Sequence, residues 1–533
     1  MVSVMFLEQP GRWRVITTGA LLALIALPVL PLGWAAVDVP TAEVGQAFWQ
    51  GLATSARIAV VGAVLGLAIG LPVGVGTALA PFPGRRVLLA AIGLPLVAPS
   101  FLWAIGWSTL AAHHAIAQAF TTGVSGCVLI AATTTTALVV FASYAATLEL
   151  SRSQIDAALL SGSEGAVLRR ACRNAVLPAG FAAVLGGVMT LSDPGAGQIL
   201  GAHTAAAEIM TAFAVRYDIA LAATQCLILA AIVAAIALPL AWIAGPRLAE
   251  AVLARQLAPP PRRGRSTTSL MVASMASMYV LLIVAPPIVG LFVPLVRGGG
   301  SGSIGVPALG PAADDHLELV LLGALATAAR TALNTMIYAA GAAALAVLVG
   351  SAIALAVGRN SSLRTWAMTV GIVVFSWPSF AGALGVARVA TAAPSLLDVL
   401  LRSRFTVCAV LASHFVPVAT AFALRAAGTI APSWTYAAAI HGVTLPRYLR
   451  MVLWPAVRPS VSLAFALVAL LASADAGSVL LLHPPGEASL PLAIFTVMAN
   501  APEVAVASLC LIYLLVTVAI LAAVVGLGVE HET

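Results

Sequence analysis

The sequence predicts an all-α polytopic membrane protein, with about twelve transmembrane helices arranged as two parallel six-helix repeats. Three observations lead to that class. Hydrophobic residues make up 61% of the chain and charged residues 8%, with a mean hydropathy of +1.06, whereas soluble domains carry roughly 25% charged residues. Apolar runs repeatedly reach the roughly 20 residues that an α-helix needs to cross a hydrocarbon core. Short motifs from the first half of the chain return in the second half, in the same order.

The apolar runs place spans at 15–37, 55–80, 87–111, 126–148, 179–200 and 220–243, then at 269–293, 326–357, 366–388, 406–427, 457–482 and 504–527. The first run follows Arg12 and Arg14. It is too long for a signal-peptide core and reads as a retained span. Between the halves, Pro259-Pro260-Pro261-Arg262-Arg263-Gly264-Arg265 is a basic, Pro-rich stretch that resists compact structure. The expected organisation is a first transmembrane domain over 1–248, a cytoplasmic linker over 249–268, and a second transmembrane domain over 269–533.

The repeats are short. Ala53-Thr54-Ser55-Ala56-Arg57 returns as Ala326-Thr327-Ala328-Ala329-Arg330, and Pro99-Ser100-Phe101 as Pro378-Ser379-Phe380, with Gly106 matching Gly385. Asp193-Pro194-Gly195 returns as Asp475-Ala476-Gly477. Any one match is weak in an Ala-rich chain, but the offset stays within roughly 273 to 282 residues and the order is kept. An even number of spans per half makes the repeat parallel, about an axis along the membrane normal.

The formal net charge is +7, and all 26 basic residues are arginine. No basic run lies outside the connections between spans, so nucleic acid is a poor partner, and the positive-inside rule explains the charge better. Only Arg57, Arg216, Arg297, Arg330, Arg388, Arg402 and Arg404 fall on the side opposite the termini. Both termini are therefore expected to be cytoplasmic. The lack of lysine excludes a P-loop, whose phosphate grip needs G-x-x-x-x-G-K-[ST], so any ATPase is a separate chain. Cys127, Cys172, Cys226, Cys408 and Cys510 have neither metal-ligand nor disulfide-framework spacing. His113-His114 has no Cys or acidic neighbours and reads as an exposed loop pair. No catalytic set and no metal site is expected.

Two connections on the arginine-rich side stand out. The later one, Tyr436–Pro455, has a small-residue segment (Ala437, Ala438, Ala439), Gly442, and then a basic amphipathic stretch closed by Trp454-Pro455. The earlier one, Asp156–Pro178, opens with Asp156-Ala157-Ala158 and Gly162 and closes at Leu177-Pro178. These stretches resemble the hallmark loop of the permease subunits of binding-protein-dependent ABC importers. That loop has the form E-A-A, three residues, G, nine residues, I, one residue, L-P. Tyr436-Ala437-Ala438, Gly442, Val452 and Trp454-Pro455 keep the spacing, with Tyr in place of Glu and Trp in place of Leu. In the first copy Leu177-Pro178 comes three residues late, and Gly165 has the matching distance to it, as a three-residue insertion would give.

The resemblance covers nearly the whole chain and implies a fused permease of the type I importer fold, in a bacterial inner membrane. It also implies that both loops act as coupling helices seated in a cytoplasmic ABC ATPase dimer, which holds ATP and Mg, with no cofactor in this chain. An external substrate-binding protein would deliver the solute. Fused permeases with P-S-[FY] in the first half and D-x-G after the coupling loop look most like the ferric iron group. Thiamine, phosphonate, polyamine, sulfate and molybdate importers are near relatives.

Asp193 and Asp475 each interrupt an apolar segment soon after a coupling loop. A carboxylate in a span costs on the order of 2.5–3.5 kcal/mol on insertion scales, so it faces a partner or a wet cavity. Either the pair lines the translocation path, or each caps the broken end of a helix; one residue can do both. Pro99-Ser100 and Pro378-Ser379 interrupt the third span of each half, where a freed carbonyl needs a hydroxyl or water. They are candidate path residues too. A secondary transporter with parallel repeats is the rival from another class. It would need ion-coupling groups in several spans, and only Asp193 and Asp475 qualify.

Overall fold

The computed structural model describes residues 12–26, 30–36, 44–80, 82–112, 115–160, 164–252, 267–297, 313–392, 394–498 and 500–530. Gly162, His113-His114, most of the 249–268 linker and the Gly/Ser-rich 298–305 stretch lie outside the described residues. The structure is helical, and no strand forms among the described residues.

In chain order the helices are α1 (Arg12–Ala26), α2 (Leu30–Ala36), α3 (Gln46–Leu79), α4 (Arg85–Val97), α5 (Ser100–Ala111), α6 (Ala115–Thr121), α7 (Gly123–Leu148), α8 (Arg152–Leu160), α9 (Glu164–Leu191), α10 (Gly195–Leu200), α11 (Ala205–Ala214) and α12 (Ile219–Ala251). After the linker come α13 (Thr267–Tyr279), a π-helical turn (Val280–Val284), α14 (Ala285–Arg297), α15 (Ala313–Val357), α16 (Ser361–Ser376), α17 (Ser379–Ala392), α18 (Ser395–Leu401) and α19 (Arg404–Gly428). The chain ends with α20 (Pro432–Ile440), α21 (Leu445–Tyr448), a second π-helical turn (Leu449–Leu453), α22 (Trp454–Ala474), α23 (Ala476–Leu482), α24 (Leu490–Val497) and α25 (Glu503–Glu530).

Nine of the described helical segments are long and apolar enough to cross a membrane, and two bent pairs raise that to eleven if each pair is one span. The chain is a multi-pass α-helical membrane protein by this measure. The bent pairs are α4 with α5, at 103°, and α16 with α17, at 77°. Each bend falls at the interruption expected from sequence, Pro99-Ser100 or Pro378-Ser379. The break has a local cause. Pro99 and Pro378 disfavour helical geometry at the residue before them, and Ala98 (φ −112°, ψ 143°) and Trp377 (φ −64°, ψ 154°) are extended accordingly.

The described residues pack as two compact units. One comprises Met1–Pro40, Cys226–Arg255 and Met336–Pro484; the other comprises Thr41–Gln225, Gln256–Thr335 and Pro485–Thr533. Each unit takes segments from both sides of the linker.

In the second of these units, α3, α7 and α9 form the central bundle. Gly62, Gly66, Gly70 and Gly74 recur every fourth residue, along one face of α3. A Cβ at any of them would lie 2.5–2.7 Å from an atom of Ala131, Thr135, Val139 or Val140 on α7. In lipid the hydrophobic effect does not drive helices together, so close backbone approach through small residues supplies the packing. The crossing of α5 with α14 uses the same device: a Cβ on Gly106 would overlap the carbonyl of Pro287, and one on Gly290 the carbonyl of Gly106. Thr109 Oγ1 donates to the Gly290 carbonyl at 2.9 Å, fixing one arm of the bent pair.

The fifth span begins earlier than the 179–200 expected. Helix α9 runs from Glu164 straight through Leu177-Pro178 to Leu191. Val167, Ala171, Ala175 and Ala179 lie on one face and are buried. Burial of that stripe keeps the helix intact across the proline, because tertiary packing supplies most helical stability.

Candidate functional site

The first candidate coupling segment comprises α8 and the start of α9, with residues 161–163 between them outside the described residues. Ser151 begins α8 with a reciprocal cap: Gln154 N donates to Ser151 Oγ at 3.3 Å, and Ser151 N donates to Gln154 Oε1 at 3.4 Å. Asp156, Ala157 and Gly165 are exposed and Ala158 is half-buried. Ile155, Val167, Ala171 and Ala175 share a buried core with Val75 of α3, Ala146 of α7 and Leu150. Asn174 Nδ2 donates to the Ala146 carbonyl at 2.6 Å. Leu160 stands 90% exposed at the tip of α8, with Arg169, Arg170 and Arg173 exposed on α9. Leu177 is exposed and Pro178 half-buried, both within α9 rather than at its start.

The second segment is α20, a turn, α21, the second π-helical turn and the start of α22. Its spacing has a structural reason. Gly442 adopts φ +63°; Gly442 N donates to the Ala439 carbonyl at 3.1 Å and Val443 N to the Ala438 carbonyl at 2.9 Å. This is a Schellman ending, in which a left-handed residue after the helix, usually glycine, lets the last carbonyls be satisfied. An apolar contact accompanies the ending, with Val443 packed against the small core of Ala438 and Tyr448. Tyr448 is buried and pairs with Thr435 Oγ1 at 3.1 Å, which ties α21 back to α20. Tyr436, Ala437, Trp454 and Pro455 face outward while Ala438 is buried. Ile440 is 82% exposed, and Arg447, Arg450 and Arg458 are exposed around it in sequence. In both segments the second small residue turns inward and the residue at the glutamate position turns outward.

The helix breaks carry the other candidates. Ser100 Oγ donates to Asp193 Oδ1 at 2.7 Å, and Gly195 N donates to the same oxygen at 2.9 Å. Residues 93 apart in sequence thus latch the break after α4 to the break after α9. A Cβ on Gly195 would sit 2.7 Å from Ser100 Oγ, so glycine leaves room for the latch. At the other break, Asp475 caps α23: Ser478 N donates to Asp475 Oδ1 at 2.9 Å. Ser478 Oγ lies 2.9 Å from Asp475 Oδ2 and 3.0 Å from the Ser379 carbonyl. Its single proton serves one acceptor at a time. Both aspartates therefore satisfy backbone donors at a helix start.

Several residues near the breaks were not singled out from sequence. Ser478 completes the second latch. The buried indole nitrogens of Trp103 and Trp377 have no hydrogen-bond partner among the described residues; one lies a turn after Ser100 and the other directly before Pro378. His414 in α19 stacks on Phe375 at 5.5 Å and lies within electrostatic range of Asp475. A lone histidine in an apolar run was the available signal. Among the described residues no group of three or more His, Cys, Asp or Glu could hold a metal ion.

No protein-family model matches the chain, and no curated protein matches it.

Proposed function

We propose that the chain is the membrane-spanning permease of an ATP-driven importer, a fused pair of transmembrane domains worked by a separate ATPase dimer. The observation that carries this reading is the pair of helical segments that precede a span, α8 with the start of α9 and α20 to α22. Each offers an exposed apolar tip, Leu160 or Ile440, beside exposed arginines, as a surface for a soluble partner would. The handed turn at Gly442 and the spacing to Trp454-Pro455 support the resemblance to the importer loops. In this reading the protein does no bond chemistry. ATP binding draws the two coupling segments together and favours the outward state, while the loaded external binding protein favours the same state from the other side. The binding protein releases its cargo into the path, and ATP hydrolysis then removes the bias and resets the inward state.

The breaks at Pro99-Ser100 and Pro378-Ser379, with Asp193 and Asp475, are proposed to line the path. The cargo is a small solute, ferric iron first, with thiamine, phosphonate, polyamine or sulfate as alternatives. Carboxylates at both breaks favour a cation.

Solubilising the protein from its host should bring an ATPase chain with it. Gly442→Val places a β-branched side chain in left-handed backbone, at roughly 1–2 kcal/mol of strain. The expected result is an approximately tenfold weaker association with the ATPase chain, with all spans still inserted. Undiminished association and transport in that variant would refute the role given to the second segment.

A further inference from the structure

The second helix break has a neighbour that the first lacks. His414 stands in α19, about ten residues, or 15 Å, in from Arg404, so neither end of this 25-residue span brings it to an interface. Helix α19 packs against α16, α17, α22 and α23, the helices that flank Pro378 and Asp475 within one compact unit. Phe375 of α16 stacks on the imidazole, with centroids 5.5 Å apart and planes 22° apart. Phe415 meets it edge-on at 4.9 Å. These contacts fix the plane of the ring and leave its nitrogens to other partners. The ring is half-buried, and neither nitrogen hydrogen-bonds among the described residues. Polar side chains inside a protein are nearly always paired, and an ionisable group in a span marks an ion path by default. The charged group within electrostatic range of the imidazole is Asp475.

Asp475 also has acceptor capacity to spare. Its Oδ1 takes Ser478 N and caps α23. Its Oδ2 has only the Ser478 hydroxyl among the described residues, and that one proton has the Ser379 carbonyl as a second acceptor. A cation at Oδ2 leaves the proton to Ser379, so the bond between α17 and α23 stays made.

The repeat shows that this pairing belongs to one half. Cys127 in α7 matches Cys408 in α19, and at the same distance beyond them Thr133 matches His414. Thr133 Oγ1 is spent on the Leu129 carbonyl at 2.7 Å. Asp193 Oδ1 already holds Ser100 Oγ and Gly195 N. The first half offers a carboxylate at its break without a nitrogen ligand beside it.

We infer that His414 and Asp475 form a cargo contact for a first-row transition-metal dication, with an imidazole nitrogen and Asp475 Oδ2 as the two protein ligands. As a contact on a cargo path it rests on the importer reading; the pair's hold on the ion does not. Alkali and alkaline-earth ions take oxygen ligands and would leave the imidazole idle, whereas imidazole suits iron, nickel, copper and zinc. Two protein ligands are fewer than the three or four of a resident metal site. A passing ion needs no more, because it must bind loosely enough to leave.

The test titrates the purified complex with Co2+ alone, in nanodiscs with affinity tags removed. A His113→Asn/His114→Asn background keeps that pair from competing. A saturable d–d absorption band is expected. Losing a metal's orienting partner costs tenfold or more in affinity, and losing a ligand costs at least that, so His414→Gln should raise the half-saturating Co2+ about tenfold or more. Asp475→Asn keeps an oxygen for Ser478 N and should do the same if His414→Gln fails to fold. In host cells lacking their own copy, radiolabelled Co2+ uptake restored by the wild-type chain should show a KM about tenfold higher with His414→Gln at equal expression. No saturable Co2+ binding, equal binding by wild type and both variants, or uptake indifferent to His414→Gln would overturn the contact. A His414→Gln chain that shifts the pH profile of uptake while no Co2+ binds to the wild type would overturn it too, and make His414 a proton site. Co2+ bound as expected by a chain that brings no ATPase with it would bring down the importer reading and leave the ion contact standing.

Discussion

Gly106→Val should unfold or misassemble the helix pair around α5 and cost more stability than any substitution on the lipid-facing surface. The atom a Cβ would overlap is the backbone carbonyl of Pro287, and Gly290 stands against Gly106 in the reciprocal way. A flexible side chain could swing aside; a backbone carbonyl in α14 moves only if the helix moves. Overpacking of this kind typically costs about 1–3 kcal/mol and occasionally more, and the upper end is expected here because both partners are main chain. The Thr109 Oγ1 bond to the Gly290 carbonyl, 2.9 Å in the native crossing, is lost with it. Thermal unfolding in detergent or nanodiscs, with Leu65→Val on the exposed side of α3 as the control, reads the difference. A Gly106→Val protein as stable as the control would show that α5 and α14 do not cross this closely.

Asp193→Asn should leave the fold standing and cut transport by about two orders of magnitude. Asparagine keeps a side-chain oxygen that can accept from Ser100 Oγ and Gly195 N, now at 2.7 and 2.9 Å, so the latch between the two breaks survives. What disappears is the ionisable group. If the carboxylate acts on a cationic cargo, uptake falls while thermal unfolding does not. Asp193→Ala removes the acceptor as well and strands two donors, at about 1–3 kcal/mol of stability. Radiolabelled cargo uptake into proteoliposomes carrying the complete complex, set beside melting curves, separates the roles. Full transport by Asp193→Asn would assign the residue to capping alone.

Much of this architecture could be read from residue order, and the rest depends on contacts that residue order does not carry. Long apolar runs gave the membrane class, because a bilayer demands a fixed length of apolar helix. Pro99 and Pro378 marked the breaks, because proline acts on its immediate neighbour. Pro178 misled: it resembles a loop end in sequence, yet α9 runs through it, held by burial of Val167, Ala171, Ala175 and Ala179. The contact of Ser100 with Asp193 spans 93 positions, and no local pattern announces it. The glycine stripe from Gly62 to Gly74 was visible as letters, but its meaning lies in the opposing face of α7. Gly442 was found by spacing; its left-handed backbone and the two hydrogen bonds that need it explain why the spacing exists.

The two candidate coupling segments also differ in stiffness. The first shares its apolar core with α3 and α7, so bending it away means separating helices that are themselves membrane-embedded. The second buries Ala438 and Tyr448 against its own Val443 and Val452 and meets its span through five residues of π-helix, a geometry that often marks a joint. It can tilt as a block without baring that core. A pull of equal force on the two would be transmitted as strain through one and as rotation through the other.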